Sequence, residues 1–244
     1  MRIISRLDIK NEFVIKGINL EGLRKIGNPV ELARQYYLDG IDEIILIDAV
    51  ASLYGRNNLF EVVKKTTENI FIPITLGGGI KNLKDIDMAL NSGADKISIN
   101  SAGIENPSFI KEAVSNFGAS TITIYIEAKK KNDGLWEAYK HYGREKTGIN
   151  AIDWLDEVQN MGCGEILLTS VDHEGTEQGF DLELIEAIKD RIRVPLIISG
   201  GFGKIKHLQE ASKLTKNISF AIASAFHYKK EEIKKVIYEK NLYS

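Results

Sequence analysis

The chain has 244 residues, with 32 Lys and Arg against 34 Asp and Glu, and a formal net charge of −2. At 43% hydrophobic and 27% charged it reads as a globular chain, long enough for one α/β barrel or two small domains. Near-neutral charge argues against a broad nucleic-acid or anionic-membrane surface, and one cysteine, Cys163, excludes an internal disulfide framework or a cysteine-based zinc cluster. No apolar run approaches the roughly 18 residues of a membrane span. The opening MRIISRLDIK mixes charge with apolarity and lacks a signal-peptide core, so a cytoplasmic location is expected.

Taken in chain order, short apolar runs alternate with amphipathic segments. Strands are expected at Ile3–Leu7, Glu43–Ile47, Ile72–Leu76, Lys96–Ile99, Thr121–Ile126, Glu165–Leu168, Pro195–Ile198 and Ser219–Ala223. Helices are expected at Pro29–Leu38, Leu59–Glu68, Leu83–Asn91, Pro107–Asn116, Ala151–Asn160, Leu182–Asp190, Lys206–Leu214 and Glu231–Glu239. Eight strand–helix units of this kind predict a single-domain (β/α)8 TIM barrel, and the continuous apolar strands suit a parallel sheet covered by helices. A doubly wound open sheet is the alternative, but neither G-x-G-x-x-G after the first strand nor G-x-x-x-x-G-K-[ST] occurs. The chain also resembles itself at a shift of about 120 residues. EIILID (43–48) matches EILLTS (165–170), IPITLGGG (72–79) matches VPLIISGG (194–201), and LDIK (7–10) matches IEAK (126–129). Such a repeat predicts two half-barrels, about 1–120 and 121–244. A polar insert opened by Lys129–Lys131 and running to about Gly148 is expected to lengthen the loop after strand 5. Met88 and Trp154 fall at helical core spacing and are expected to pack inside.

Active sites of such barrels form at the C-terminal ends of the strands. Asp8 closes strand 1 and Glu127 closes strand 5, which face each other across the mouth. Opposed carboxyl groups can divide acid and base work if their environments separate their pKa values; the simpler alternative is a rim salt bridge to Lys10 and Lys129. Gly77–Gly79 after strand 3 joins Asn100 and Ser101, while Gly200, Gly201 and Gly203 after strand 7 join Ala223 and Ser224. Backbone N–H groups freed at glycines, beside helix N-termini, are suited to anions, so two nests predict a substrate with a phosphate at each end. Thr169, Asp172, Gly175 and Thr176 are expected near the mouth, with Lys16 on a loop above it. The histidines show no ligand spacing, so no metal is assigned, and no cofactor is expected.

Over nearly its whole length the sequence resembles the cyclase subunit of imidazole glycerol phosphate synthase. The resemblance is carried by LDIK (7–10), VIKG (14–17), GNPVELA (27–33), GGGI (77–80), GADKISIN (93–100), GEILLTS (164–170) and SGG (199–201). It implies a half-barrel duplication working with a glutaminase subunit. Ammonia would pass through the barrel to a bisphosphate, phosphoribulosyl-formimino aminoimidazole carboxamide ribotide, giving imidazole glycerol phosphate and an aminoimidazole carboxamide ribotide. Residue by residue, it assigns proton handling to Asp8 and Glu127 and substrate closure to Lys16. Substrate or phosphate contacts fall to Gly78, Gly79, Asn100, Ser101, Thr169, Glu174, Gly175, Gly200, Gly201, Ala223 and Ser224. Arg2, Glu43, Lys96 and Glu165 match a ring of charges gating ammonia entry, and Asp95 matches the glutaminase interface.

The departures are specific. Glutamate stands at Glu127 where the family uses aspartate, Ser5-Arg6 replaces Pro-Cys beside the strand 1 Leu-Asp, and Glu174 replaces an aspartate before Gly175. Lys216-Asn217-Ile218 replaces the usual Gly-Ala-Asp before strand 8. These changes keep two other readings open: an ammonia-channelling subunit for amidation of a surface-glycan sugar, and a non-catalytic barrel that activates a glutaminase. The related phosphoribosyl isomerase barrel fits the gate quartet and VIKG less well.

Overall fold

The computed structural model describes residues 1–51 and 59–240. Twelve strands form one sheet: β1 (Ile3–Lys10), β2 (Phe13–Ile18), β3 (Glu21–Gly27), β4 (Glu43–Asp48), β5 (Ile74–Gly77), β6 (Lys96–Ile99), β7 (Ile122–Lys130), β8 (Trp136–Lys140), β9 (Glu145–Asn150), β10 (Glu165–Ser170), β11 (Leu196–Ser199) and β12 (Ile218–Ile222). Eight of them run parallel in the order β10-β11-β12-β1-β4-β5-β6-β7, and pairing of β7 with β10 closes the ring. This is a (β/α)8 TIM barrel, with β1 and β7 as its first and fifth strands on opposite walls.

Strand alternation explains why the runs fold this way. On β1, Ile3, Leu7 and Ile9 face outward into the large apolar layer beneath the helices, whereas Ile4 faces the lumen. On β4, Ile44 and Leu46 face out while Ile45 and Ile47 face in. A parallel strand is therefore apolar on both faces, which is why each read as a continuous run. Inside, Ile4, Ile45, Ile47, Tyr125, Leu167, Ile197 and Ala221 pack as one buried cluster. Polar inward positions are confined to the two ends of the lumen.

The helices at Pro29–Leu38, Leu83–Asn91 and Ala151–Asn160 form as expected. The first and third begin under equivalent caps. The Asn28 carboxamide accepts from the N–H groups of Val30 and Glu31, and that of Asn150 from Ile152 and Asp153. Trp154 is buried, but Met88 is 42% exposed on the outer side of its helix, so the expected packing role does not hold for it.

Two antiparallel hairpins were not anticipated. β2 and β3 extend β1, and β8 and β9 extend β7, so the same device follows the first and fifth barrel strands. Lys16 accordingly lies in a strand and is buried, rather than on a loop above the mouth, and the polar insert is a folded ribbon.

Candidate active site

The mouth is built around two buried carboxylates on opposite walls. Asp8 and Glu127 are both essentially inaccessible, Asp8 from β1 and Glu127 from β7. Their surroundings differ. Arg6 Nε donates to Asp8 Oδ1 at 2.8 Å, and Lys16 Nζ lies 3.6 Å from Oδ2. Burial opposes the anion, but Arg6 and then Lys16 outweigh it and hold Asp8 below the usual carboxylate range. Glu127 has no such cation in contact: its Oε2 accepts from Asn100 Nδ2 and the Gly143 N–H, each at 2.9 Å, and its buried Oε1 has no hydrogen-bond partner among the described residues. Burial therefore dominates, and despite those donors its carboxyl is pushed up to about 7. The rim salt bridges offered as the simpler alternative do not form: Lys129 Nζ lies over the Tyr139 ring instead, at 5.7 Å.

A cavity of about 160 Å³ opens beside Glu127. Gly78, Gly79, Lys81, Asn100, Ser101 and His141 line it, which places the first glycine nest and Glu127 in one space. Asp48 also lines it, a residue the sequence reading passed over; its Oδ1 caps the N–H groups of Val50 and Ala51. The second nest lies outside this cavity. There the β2–β3 hairpin crosses the mouth: the Asn19 N–H donates to the Glu174 carbonyl at 2.7 Å, and the Gly17 carbonyl lies close against Gly175. Lys16 is ion-paired with Glu174, and Ile15 and Leu20 pack with Ala49, Tyr142 and Val171. Ala223 and Ser224 are buried at the end of β12, where Ala223 precedes a short helix, Ser224–His227.

Gly201 shows what the second nest demands. Its φ is +105°, and a Cβ there would fall 1.9 Å from the Gly179 carbonyl oxygen. Gly201→Ala is expected to cost about 3 kcal/mol or more in chemical denaturation. Gly22→Ala, with φ +61° and open space around it, should cost only about 1 kcal/mol. Equal losses would mean that only the backbone angle, and not the close approach, constrains Gly201.

At the opposite end of the barrel the four predicted charges close a ring. Arg2 Nη1 donates to Glu43 Oε2 at 2.7 Å and Arg2 Nη2 pairs with Glu165. Lys96 Nζ lies 3.0 Å from both Glu43 Oε1 and Glu165 Oε2. Thr75 and Thr123 hydroxyls donate to the same two glutamates. Asp95 is exposed on this end, with one carboxylate oxygen taken by the Ile74 N–H.

A family model described as histidine biosynthesis protein matches residues 2–232. The chain belongs to that family. It is 51% identical over 206 residues to the imidazole glycerol phosphate synthase subunit HisF of Legionella pneumophila, covering 84% of this chain and 97% of that protein. It is 45% identical over 244 residues to the subunit of the same name from Thermococcus onnurineus (strain NA1), covering 99% and 96% of the two chains. Within this family fold, Glu127, Asn100, Ser101, Gly78 and Gly79 share the open side of the mouth, whereas Asp8 lies with Lys16, Glu174 and Gly175 beneath the hairpin. Thr169 faces the lumen and hydrogen-bonds Arg6. Missing from the sequence reading were Tyr125 and Ser199, whose inward direction only strand register reveals, and Tyr142, which the turn between β8 and β9 folds back onto the mouth.

Proposed function

We propose that this chain is the cyclase subunit of an imidazole glycerol phosphate synthase. It adds ammonia from a glutaminase subunit to the phosphoribulosyl ribotide, releasing imidazole glycerol phosphate and the aminoimidazole carboxamide ribotide. The carrying observation is the pair across the mouth: one carboxylate clamped as an anion, the other titrating near neutrality. Attack of ammonia on a carbonyl creates a cationic nitrogen and an oxygen that must be protonated before leaving as water. An anion stabilises the first charge, and a neutral carboxylic acid supplies the proton. Gly78, Gly79, Asn100 and Ser101 hold one phosphate; Gly175, Gly200, Gly201, Ala223 and Ser224 hold the other once the hairpin lifts from its contacts with Glu174. Arg2, Glu43, Lys96 and Glu165 admit ammonia at the far end, where the glutaminase docks beside Asp95, and the enzyme works in the cytoplasm. The duplicated hairpins and the equivalent Asn28 and Asn150 caps support two half-barrels, about 1–120 and 121–244.

The deciding assay supplies the ribotide with an ammonium salt in place of the glutaminase. Formation of both products is expected. Ribotide binding without turnover would transfer the proposal to another ammonia acceptor, such as a surface-glycan sugar, a reading favoured by one observation, the guanidinium of Arg6 bound to Asp8.

A further inference from the structure

Arg6 is wholly buried and points into the lumen between Ile4 and Asp8. Besides its bond to Asp8, Nη1 donates to Thr169 Oγ1 at 2.9 Å and Ser199 Oγ at 3.3 Å, and Nη2 donates to Tyr125 Oη at 2.9 Å. The guanidinium carbon stands 5.1 Å from the centre of the Tyr125 ring. These partners come from β1, β7, β10 and β11, so the side chain crosses from one wall of the barrel to the other. A guanidinium is a rigid planar fork that cannot deprotonate, and four of its five N–H groups are engaged here. It has no free rotamer in this setting and no state in which it stops being a cation.

The charges around Asp8 balance as a group. Arg6 and Lys16 face Asp8 and Glu174; Arg6 Nη1 is 3.9 Å from Glu174 Oε2, and Lys16 pairs with the other Glu174 oxygen. The hydroxyls of Tyr125 and Tyr142 adjoin the same cluster, His227 is pushed down to about 3 by burial and then by Lys16 and so adds no charge to it, and Glu127 stands on the opposite wall, on β7. Protonating Asp8 would leave two buried cations against one carboxylate, which a low-dielectric interior resists. Glu127 takes its hydrogen bonds from neutral donors, Asn100 and the Gly143 N–H, and Arg6 acts on it only across space, too weakly to offset its burial.

We propose that Arg6 is a positioning residue: clamped by Tyr125, Thr169 and Ser199, it fixes Asp8 as a permanent anion on the β1 side and leaves proton transfer to Glu127 alone. This assignment rests on the cyclase reading for its kinetic consequence, but not for its physical one. Asp8 serves as an electrostatic anchor for the nitrogen that becomes cationic, and the two carboxylates are not interchangeable.

The test is a carboxyl titration by 13C NMR on protein labelled at the aspartate side-chain carboxyl carbon, with the Asp8 signal assigned through Asp8→Asn. In the unaltered protein the Asp8 resonance should stay at the ionised position down through the range in which an ordinary aspartate titrates. In Arg6→Gln, Asp8 and Glu174 must share Lys16, so the resonance should titrate above the ordinary carboxylate range. Arg6→Lys retains the charge and should restore the low titration. It also serves where the glutamine variant fails to fold. With ribotide and ammonium, Arg6→Gln should lower kcat by about tenfold or more with little change in KM, and add a second ionisation to the pH profile. An Asp8 resonance that titrates normally in the unaltered protein, or identically in Arg6→Gln and the parent, overturns the proposal. Absence of ribotide turnover in the unaltered protein would instead count against the cyclase reading, because the titration needs no substrate.

Discussion

Glu127→Gln should reduce ammonium-driven ribotide turnover by about 10²- to 10⁴-fold, the span associated with losing a positioned acid or base. The carboxamide is nearly isosteric and can still accept from Asn100 and the Gly143 N–H, so the loss should appear in kcat with the barrel intact. In the unaltered protein, turnover corrected for the fraction of free ammonia should fall as pH rises through about 7, because the acid form of Glu127 is being titrated away. The variant's residual rate should lack that limb. Stability gives an independent reading of the same group. Its pKa is raised from 4.5 to about 7 on folding, so between those values the native state binds more protons than the unfolded state. Native stability must then decline as pH rises from 4.5 towards 7 and level off beyond it, through this residue. Glutamine removes that slope, and the variant should melt at a higher temperature than its parent at pH values above 7. A variant retaining more than a tenth of parental turnover would remove Glu127 from the proton-transfer role.

The barrel was legible in the sequence because each parallel strand is buried on both faces. Runs such as Glu43–Asp48 and Glu165–Ser170 have no polar alternation to confuse with anything else. The hairpins were not legible in the same way. β3 reads EGLRKIG and lies against one neighbour with little of it buried, so its apolar content never accumulates into a signal. A local cue did exist at Asp133-Gly134, between β7 and β8, where Gly134 adopts φ +82°. Asn11 and Asn19, at the ends of β2, both have positive φ as turn asparagines do. Lys129–Lys131 masked the first of these cues by making the whole stretch look like a solvated loop. The site divides along the same line. Asp8 and Glu127 could be placed opposite each other from strand counting, because the repeat fixes which strands they end. The cation beside Asp8 was visible as Arg6, yet its hold on Tyr125, Thr169 and Ser199 is a property of inward register on three other strands. Glutamate for aspartate at position 127 was likewise visible. That its carboxyl rises towards neutrality while Asp8 falls depends on which donors burial supplies, and sequence does not state that.

Lys96→Ala should separate the two ways of supplying nitrogen. Glu43 and Glu165 are nearly inaccessible, and each bridges Arg2 and Lys96. Removing the ammonium group leaves Arg2 as the one cation contacting both glutamates among the described residues, beside the Thr75 and Thr123 hydroxyls, and the ring opens on the β6 side. Lys96 keeps 19% of its side chain exposed and Arg2 33%, so water can partly replace the missing charge. The loss in stability should accordingly be smaller than the about 3–5 kcal/mol typical of breaking a fully buried pair. Function should respond more strongly. If the ring is the ammonia entrance proposed above, ammonia released by a docked glutaminase would reach it first and an opened ring would leak it to solvent, whereas ammonium added to the medium could enter at the mouth. Glutamine-driven turnover should fall at least about tenfold, equivalent to roughly 1.4 kcal/mol on the barrier, with ammonium-driven turnover within about twofold of the parent. Lys96→Arg keeps the charge and should recover most of the coupling, which distinguishes a gate from a packing position. If glutamine- and ammonium-driven rates move together in Lys96→Ala, the ring is a structural salt-bridge cluster and ammonia does not pass through it.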